Sequence, residues 1–137
     1  METPKAPFSE VVECPEFQKD LKGLLKKYRS LKEDLETFKN TPLKAFHKLG
    51  LENLGVVQIP GLGFEDPKVY KATKFACKAL KGRGAASGIR VVYAYFAEGD
   101  KILFIEMYFK GNQEIEDKER IKRVVQSVYQ TIRNPRS

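Results

Sequence analysis

Two neighbouring runs of β-branched and aromatic residues constrain the fold of this chain most. Residues 89–96 and 102–109 are such runs, and a five-residue connection that contains Gly99 joins them. This arrangement predicts a β-hairpin. Alternation along the second run places two sets of side chains on opposite faces of the strand. The apolar set is Leu103, Ile105, Met107 and Phe109, and the mixed set is Ile102, Phe104, Glu106, Tyr108 and Lys110. We expect helices to cover the apolar face, which leaves the mixed face open to a ligand.

Further strands are predicted upstream of the hairpin. Residues 69–75 read as one strand and residues 8–13 as a short first strand. A basic, glycine-containing loop over residues 81–88 links the former to the hairpin, and it lacks the spacing of a phosphate-binding P-loop. The sequence therefore predicts a small antiparallel sheet of about four strands in an α+β fold.

An amphipathic stripe between residues 17 and 38 predicts helix. Its apolar members recur at alternating spacings of four and three residues: Phe17, Leu21, Leu24, Tyr28, Leu31, Leu35 and Phe38. Ser30 and Glu33 form a capping-box pattern, which indicates a break near Arg29 into two antiparallel helices. The stripe suits either a coiled-coil partner or the apolar face of the sheet, and we favour the sheet.

The remaining segments are less distinctive. Thr41-Pro42 opens a short helix that Gly50 ends, and the single histidine, His47, lies within it. A second amphipathic helix is predicted near the C-terminus, after the acidic residues Glu114, Glu116, Asp117 and Glu119. We interpret His47 as a surface or half-buried helix residue, in preference to a general base, and the C-terminal helix as core cover.

Positive charge is concentrated in one part of the chain. The whole sequence has 25 Lys and Arg against 18 Asp and Glu, a net charge of +7. Residues 67–97 contain no acidic residue and seven basic ones: Lys68, Lys71, Lys74, Lys78, Lys81, Arg83 and Arg90. Such a segment predicts an anionic partner. Lys74, Lys78, Lys81 and Arg83 are expected to bind this partner, which the family resemblance described below implies to be RNA.

Several classes of protein do not fit the sequence. Cys14 and Cys77 are too far apart for a disulfide framework, and one histidine cannot build a usual zinc site, so no metal or other cofactor is expected. The chain has no apolar run that approaches about 18 residues and no signal-peptide core near its start. We therefore expect a cytoplasmic protein without a membrane partner, with a flexible tail over residues 1–7 and one domain over residues 8–137.

The order of elements and one motif resemble a known family. A strand with Tyr70-Lys71, a basic loop, the sequence Ser-Gly-Ile-Arg-Val-Val-Tyr over residues 87–93, and a last strand ending Tyr-Phe-Lys-Gly are similar to the RelE/ParE toxin superfamily. Its members are the toxins of type II toxin–antitoxin pairs, and the resemblance covers roughly residues 10–125. It implies a RelE-like fold with the helical hairpin on one face of the sheet. It also implies a cognate antitoxin with an acidic helical segment, bound in a toxin–antitoxin hetero-oligomer.

The resemblance implies a site as well. It places an active-site arginine at Arg90 and basic residues at Lys71 and Lys110, the latter on a face with Glu106 and Tyr108. Two functions stay open: a metal-independent, ribosome-dependent mRNA endonuclease, which we favour, and a non-catalytic toxin or nucleic-acid-binding relative, of the gyrase-inhibitor type or with a decayed nuclease site. In the family, a second basic residue stands two positions after the first. Thr73 occupies that position after Lys71 here, so the basic pair is incomplete. Tyr129 is the only aromatic residue near the C-terminus.

Overall fold

The structure of the protein is a computed structural model that describes residues 7–52, 54–80 and 87–133, with side chains as far as residue 128. Nine elements follow one another along the chain. They are β1 (Glu10–Glu13), α1 (Pro15–Leu25), α2 (Leu31–Asn40), α3 (Pro42–Leu49), β2 (Val56–Gln58), β3 (Lys68–Ala72), β4 (Ile89–Phe96), β5 (Lys101–Phe109) and α4 (Lys118–Arg133).

The strands form one sheet in the order β1-β5-β4-β3-β2. All neighbours are antiparallel except β1 and β5, which run parallel. The predicted α+β class and the β4–β5 hairpin are confirmed. The described residues contain five strands where about four were expected, since β2, three residues long, was not predicted. The strand expected over residues 69–75 is shorter, and Thr73 and Lys74 lie beyond the end of β3.

The helical hairpin packs on one face of the sheet, as predicted. Pro15 occupies the first turn of α1, where its missing N–H costs nothing, and the Cys14 sulfur accepts a hydrogen bond from Phe17 N. The Phe17 ring stacks on Phe104 of β5 at 5.2 Å, and Phe38 of α2 contacts Tyr93 of β4 at 6.3 Å. We call this side of the sheet the helix-side face; its centre is Tyr93 and Phe104, both fully buried.

The break between α1 and α2 is where the sequence predicted it, but the predicted capping hydrogen bond of Ser30 is not formed. Ser30 is the N-cap residue of α2, yet its side chain does not cap the helix. The Ser30 hydroxyl instead donates to Asp34 and accepts from Ala79 N, which ties α2 to the turn after β3. Leu24, in the predicted stripe, is only half-buried, whereas Leu21 and Leu31 are buried. The short helix α3 ends at Gly50, whose φ of 67° is left-handed, as expected.

A β-bulge in β5 changes which residues share a face. Val92 pairs with Glu106 while the next residue, Tyr93, pairs with Phe104, so Ile105 is an extra residue on β5. The predicted alternation therefore holds over residues 106–109 and is wrong before the bulge, where residues 102–104 are on the faces opposite to those predicted. Phe104 lies on the helix-side face, whereas Glu106 lies on the other face of the sheet. Leu103 pairs with Ala94 and lies on the same face as Glu106, whereas Met107 lies on the helix-side face.

Where β1 ends, side chains take over as hydrogen-bond partners of the backbone groups along the edge of β5. Cys14 and Arg120 both donate to the carbonyl oxygen of the bulge residue Ile105, at 3.4 and 3.2 Å. Asp20 of α1 accepts from Met107 N at 3.0 Å and from the Arg120 guanidinium at 2.6 Å. Burial tends to lower the pKa of Arg120, but Asp20 outweighs it and the pKa is raised. The start of α4 is thereby fixed to α1 and β5.

Candidate functional site

The predicted catalytic residues of the strands lie together on the face of the sheet opposite the helical hairpin. Val92 pairs with Lys71 on one side and with Glu106 on the other, and Arg90 pairs with Tyr108. Arg90 and Val92 are two residues apart in β4, so all five side chains share a face. We call this group, Lys71, Arg90, Val92, Glu106 and Tyr108, the charged face.

Arg90 is held at the start of β4 by its surroundings. Its guanidinium donates to Thr73 O at 2.8 Å, and its side chain is half-buried. The preceding Ser87 is fully buried; its hydroxyl donates to Phe75 O and accepts from Ile89 N. Gly88 has a φ of 85°, and a Cβ there would lie 2.9 Å from the Phe109 ring. Ser87 and Gly88 thus have a structural part in this motif, because they fix the strand that carries Arg90.

Lys71 forms an ion pair with an acidic residue from outside the sheet. Its ammonium lies 2.9 Å from Glu116 Oε2, and the exposed fractions of the two side chains are 22% and 6%. Burial is the largest single influence and works to raise the pKa of Glu116, but the hydrogen bond and charge of Lys71, the backbone N–H of Glu116 and the charge of Lys118 together keep that pKa below its usual value. Glu116 is therefore ionised at neutral pH, and the pair carries no net charge.

Glu106 and Tyr108 are buried beneath this pair. The Glu106 carboxylate accepts one hydrogen bond from the Gln113 side chain and one from Asp117 N, both at 2.9 Å. Burial raises the pKa of Glu106. Burial, with the nearby carboxylates of Glu116 and Glu106, also raises the pKa of Tyr108 to about 12, so its hydroxyl stays protonated at neutral pH. In this arrangement Glu106 anchors the segment that precedes α4.

Three other predicted basic residues, Lys74, Lys78 and Lys110, lie beyond the ends of β3 and β5. Lys110 follows the end of β5 and is exposed, and its backbone N–H donates to Gly88 O. Lys74 and Lys78 are exposed in the turns after β3, where Lys78 pairs with Glu33 at 2.5 Å. Lys81 and Arg83 lie outside the described residues, as does the side chain of Tyr129 in α4.

His47 lies on the helix-side face, remote from the charged face. Its Nε2 is 2.7 Å from the Tyr93 hydroxyl, and its ring contacts Tyr70 and Tyr95 at 4.9 and 4.5 Å. Burial and the neighbouring Lys48 lower the pKa of His47 to about 4. A neutral, half-buried histidine agrees with the preferred interpretation of the sequence. Cys14 and Cys77 are both buried free thiols.

Two members of the site were not predicted. Glu116 appeared in the sequence only as one of four acidic residues, and its partner Lys71 is 45 residues away. Thr73 acts through its backbone carbonyl, so its side chain gives no signal in the sequence. Within residues 7–52, 54–80 and 87–133, no group of three or more His, Cys, Asp or Glu side chains could hold a metal ion. None of the helices described here is both long enough and apolar enough to cross a bilayer.

Comparisons with known proteins give a structural likeness but no match in sequence. No protein-family model matches the chain, and no curated protein matches it either. The fold is similar to a chain in the crystal structure of the archaeal RelE–RelB complex from Pyrococcus horikoshii OT3, with a TM-score of 0.45 and 18% sequence identity. The match covers 74% of this chain and 94% of that one.

Proposed function

We propose that the protein is the toxin of a type II toxin–antitoxin pair and that it cleaves mRNA on the ribosome without a metal ion. One observation carries the proposal. Arg90 and Lys71, two of the three basic residues that the family resemblance implies for the site, share a face of the sheet with Tyr108. The motif over residues 87–93 links this face to the toxin superfamily.

The chemistry assigned to these residues follows from the reaction. In metal-free RNA cleavage the 2′-oxygen attacks the adjacent phosphorus, the 2′-hydroxyl loses its proton, and the bond to the 5′-oxygen breaks as that oxygen gains one. The products are a 2′,3′-cyclic phosphate and a 5′-hydroxyl. Arg90 stabilises the added negative charge on the phosphorane, because its planar guanidinium can donate to two phosphate oxygens and never deprotonates. Lys71 is the second phosphate ligand, the Glu106 carboxylate is the proton acceptor and the Tyr108 hydroxyl is the proton donor, since these side chains share the face of Arg90.

One observation favours a second candidate, a non-catalytic toxin or nucleic-acid-binding relative. The groups on the charged face that could transfer protons are either buried, as Glu106 and Tyr108 are, or paired, as Lys71 is. Such a face could bind a phosphate through Arg90 without turnover. The two candidates share the anionic ligand and differ in what happens to it.

The test is to express the protein without its antitoxin and to follow growth and the integrity of mRNA. We expect growth arrest with messages cut within ribosomes. Arg90→Ala should relieve both, because the loss of one preorganised charge costs about 10²–10³-fold in rate. Arg90→Lys should restore only part of the activity, since a point charge does not reproduce the guanidinium geometry.

Arg29→Ala is the matched control, because Arg29 is exposed between α1 and α2 and lies outside the charged face. It should remain as toxic as the unaltered protein. Toxicity that survives in folded Arg90→Ala protein would refute the assignment of Arg90. Arrested cells with intact messages and damaged DNA would support the gyrase-inhibitor type, and intact messages without arrest would support a decayed nuclease site.

A further inference from the structure

The segment between β5 and α4, residues 113–117, lies against the charged face and brings negative charge to it. We call it the acidic segment. Its outward-facing residue, Ile115, is 60% exposed, while Glu116 is 92% buried, with only 8% of its surface exposed. The segment therefore turns an acidic residue inward and an aliphatic one outward, the reverse of what apolar burial favours.

Polar contacts hold this segment in place. Gln113 Nε2 and Asp117 N donate to the two oxygens of Glu106, and Gln113 Nε2 also donates to Ile115 O at 2.8 Å. Glu116 contributes the ion pair with Lys71. Water can replace each of these contacts if the segment moves away, so each contributes little net free energy. Segments held in this way open at a lower free energy than the core.

Glu116 occupies the position on Lys71 that an anionic ligand needs. Carboxylate and phosphate oxygens accept the same charge-assisted hydrogen bonds, so both compete for one ammonium group. A phosphate bound by Arg90 would lie on the same face as Lys71, close to the Glu116 carboxylate, and the two anions would repel each other. Phosphate binding and the Glu116–Lys71 pair therefore exclude each other.

We propose that the acidic segment is an internal gate, in which Glu116 blocks Lys71 until RNA displaces it. This inference rests on the proposed function, because it takes RNA phosphate as the ligand of the charged face. In the closed state Arg90 is the available cation among the described members of the charged face. In the open state Lys71 joins it, and the acidic segment no longer repels the ligand.

The test is the binding of a short single-stranded RNA oligonucleotide, measured by fluorescence anisotropy over a range of salt concentrations. Glu116→Gln should bind at least about fivefold more tightly than the unaltered protein, the lower end of the usual coupling between two sites. Its salt slope should match that of the unaltered protein, because RNA displaces Glu116 from Lys71 in the unaltered protein and the two complexes then have the same phosphate contacts.

Glu119→Gln is the control for net charge, since Glu119 is 89% exposed and lies 4.0 Å from Lys122, outside the charged face. It should leave both affinity and slope close to their original values. Gln113→Ala is a second variant that keeps every charge and removes the side-chain contacts to Glu106 and Ile115 O. It should shift affinity in the same direction as Glu116→Gln, which keeps the test decisive if Glu116→Gln does not fold.

Each result decides the matter. Tighter binding by Glu116→Gln and Gln113→Ala, with Glu119→Gln unchanged, supports the gate. If the unaltered protein binds RNA through Arg90 but Glu116→Gln behaves like Glu119→Gln, the gate is refuted and the proposed function stands. If Glu116→Gln binds as before but no longer cleaves, Glu116 takes part in proton transfer and does not gate the site. If Arg90→Ala leaves RNA binding unchanged, the proposed function and the gate are both refuted. If no variant binds the oligonucleotide, the gate is refuted, and the expression test decides the ribosome-dependent function.

Discussion

The two faces of the sheet are built from the same strands but are stabilised in different ways. The helix-side face is aromatic: Phe104 contacts Phe17, Phe38 and Tyr93 with ring centroids between 5.2 and 6.5 Å apart. Its buried Tyr93 hydroxyl is bonded to His47. On the charged face, Lys71, Arg90 and Glu106 each have a polar partner.

This difference separates stability from function. Buried aromatic rings contribute free energy by leaving water, whereas charges brought out of water must be paired merely to offset the cost of their desolvation. An apolar surface in place of the charged face would therefore give the fold about the same stability.

The largest effect should come from the centre of the helix-side face. Phe104→Ala removes a fully buried ring and leaves a cavity between α1, α2 and the sheet, so we expect a loss of about 3–5 kcal/mol in the free energy of unfolding. Urea denaturation measures this loss. Val57→Ala, at a side chain that is 49% exposed on the other face, should change it by less than about 0.5 kcal/mol. Equal losses for the two variants would contradict the contrast between the faces.

The next effect is a pH dependence that arises from His47. Because burial lowers its pKa to about 4 in the folded state, from 6.5 in the unfolded state, protonation favours unfolding. The stabilisation is complete above pH 6.5 and is lost as the pH falls towards 4, by about 2–3 kcal/mol. His47→Gln, which does not titrate, should lose less stability over this range. Parallel stability curves for the two proteins, followed by urea denaturation at each pH, would show that His47 is not packed as described.

A smaller loss is expected at the polar support of the charged face. Ser87→Ala leaves Phe75 O and Ile89 N without their buried partner, which should cost about 1–3 kcal/mol in the free energy of unfolding. The exposed hydroxyl of Ser9 makes comparable contacts to Gly99 and Asp100, so Ser9→Ala is the control and should cost less. A Ser87→Ala protein as stable as the unaltered one would mean that the motif around Arg90 does not depend on this hydroxyl.

The smallest effect concerns the exposed cations beyond β3. Lys78 pairs with Glu33 on the surface, and such pairs contribute little to stability. Lys78→Ala should leave the denaturation midpoint unchanged and should reduce the salt dependence of single-stranded RNA binding by about 0.7 in the logarithmic slope. An unchanged slope would remove Lys78 from the RNA-binding surface.

Sequence patterns predicted the elements whose signals are local. Helical periodicity located α1 and α2, and the two β-branched runs located the β4–β5 hairpin. The bulge at Ile105 was beyond such reasoning, because both phases of β5 are rich in apolar residues and either could face the helices. β2 is too short to have a pattern of its own.

The candidate site likewise contains residues that the sequence predicted and one that it could not predict. Lys71, Arg90, Glu106 and Tyr108 were named from strand positions and from the family resemblance, and pairing in the sheet brings them to one face. Glu116 could not be named, because an ion pair across 45 residues depends on where the acidic segment folds back. Its acidic neighbours in the sequence gave no means of distinguishing it.

The parallel pairing of β1 with β5 has a consequence for the timing of folding. Ser9 and Cys14 flank β1, and each forms a hydrogen bond with a residue 91 positions further along the chain. A ribosome that adds about 5–20 residues per second needs roughly 5–20 s to make that stretch, and during this time β1 has no sheet edge to join. We expect the local β4–β5 hairpin to form first and the N-terminal strand to dock last, because closing so long a loop is the slower step. Native-like protection of the β1 amides from hydrogen exchange should therefore appear only after β5 has left the ribosome.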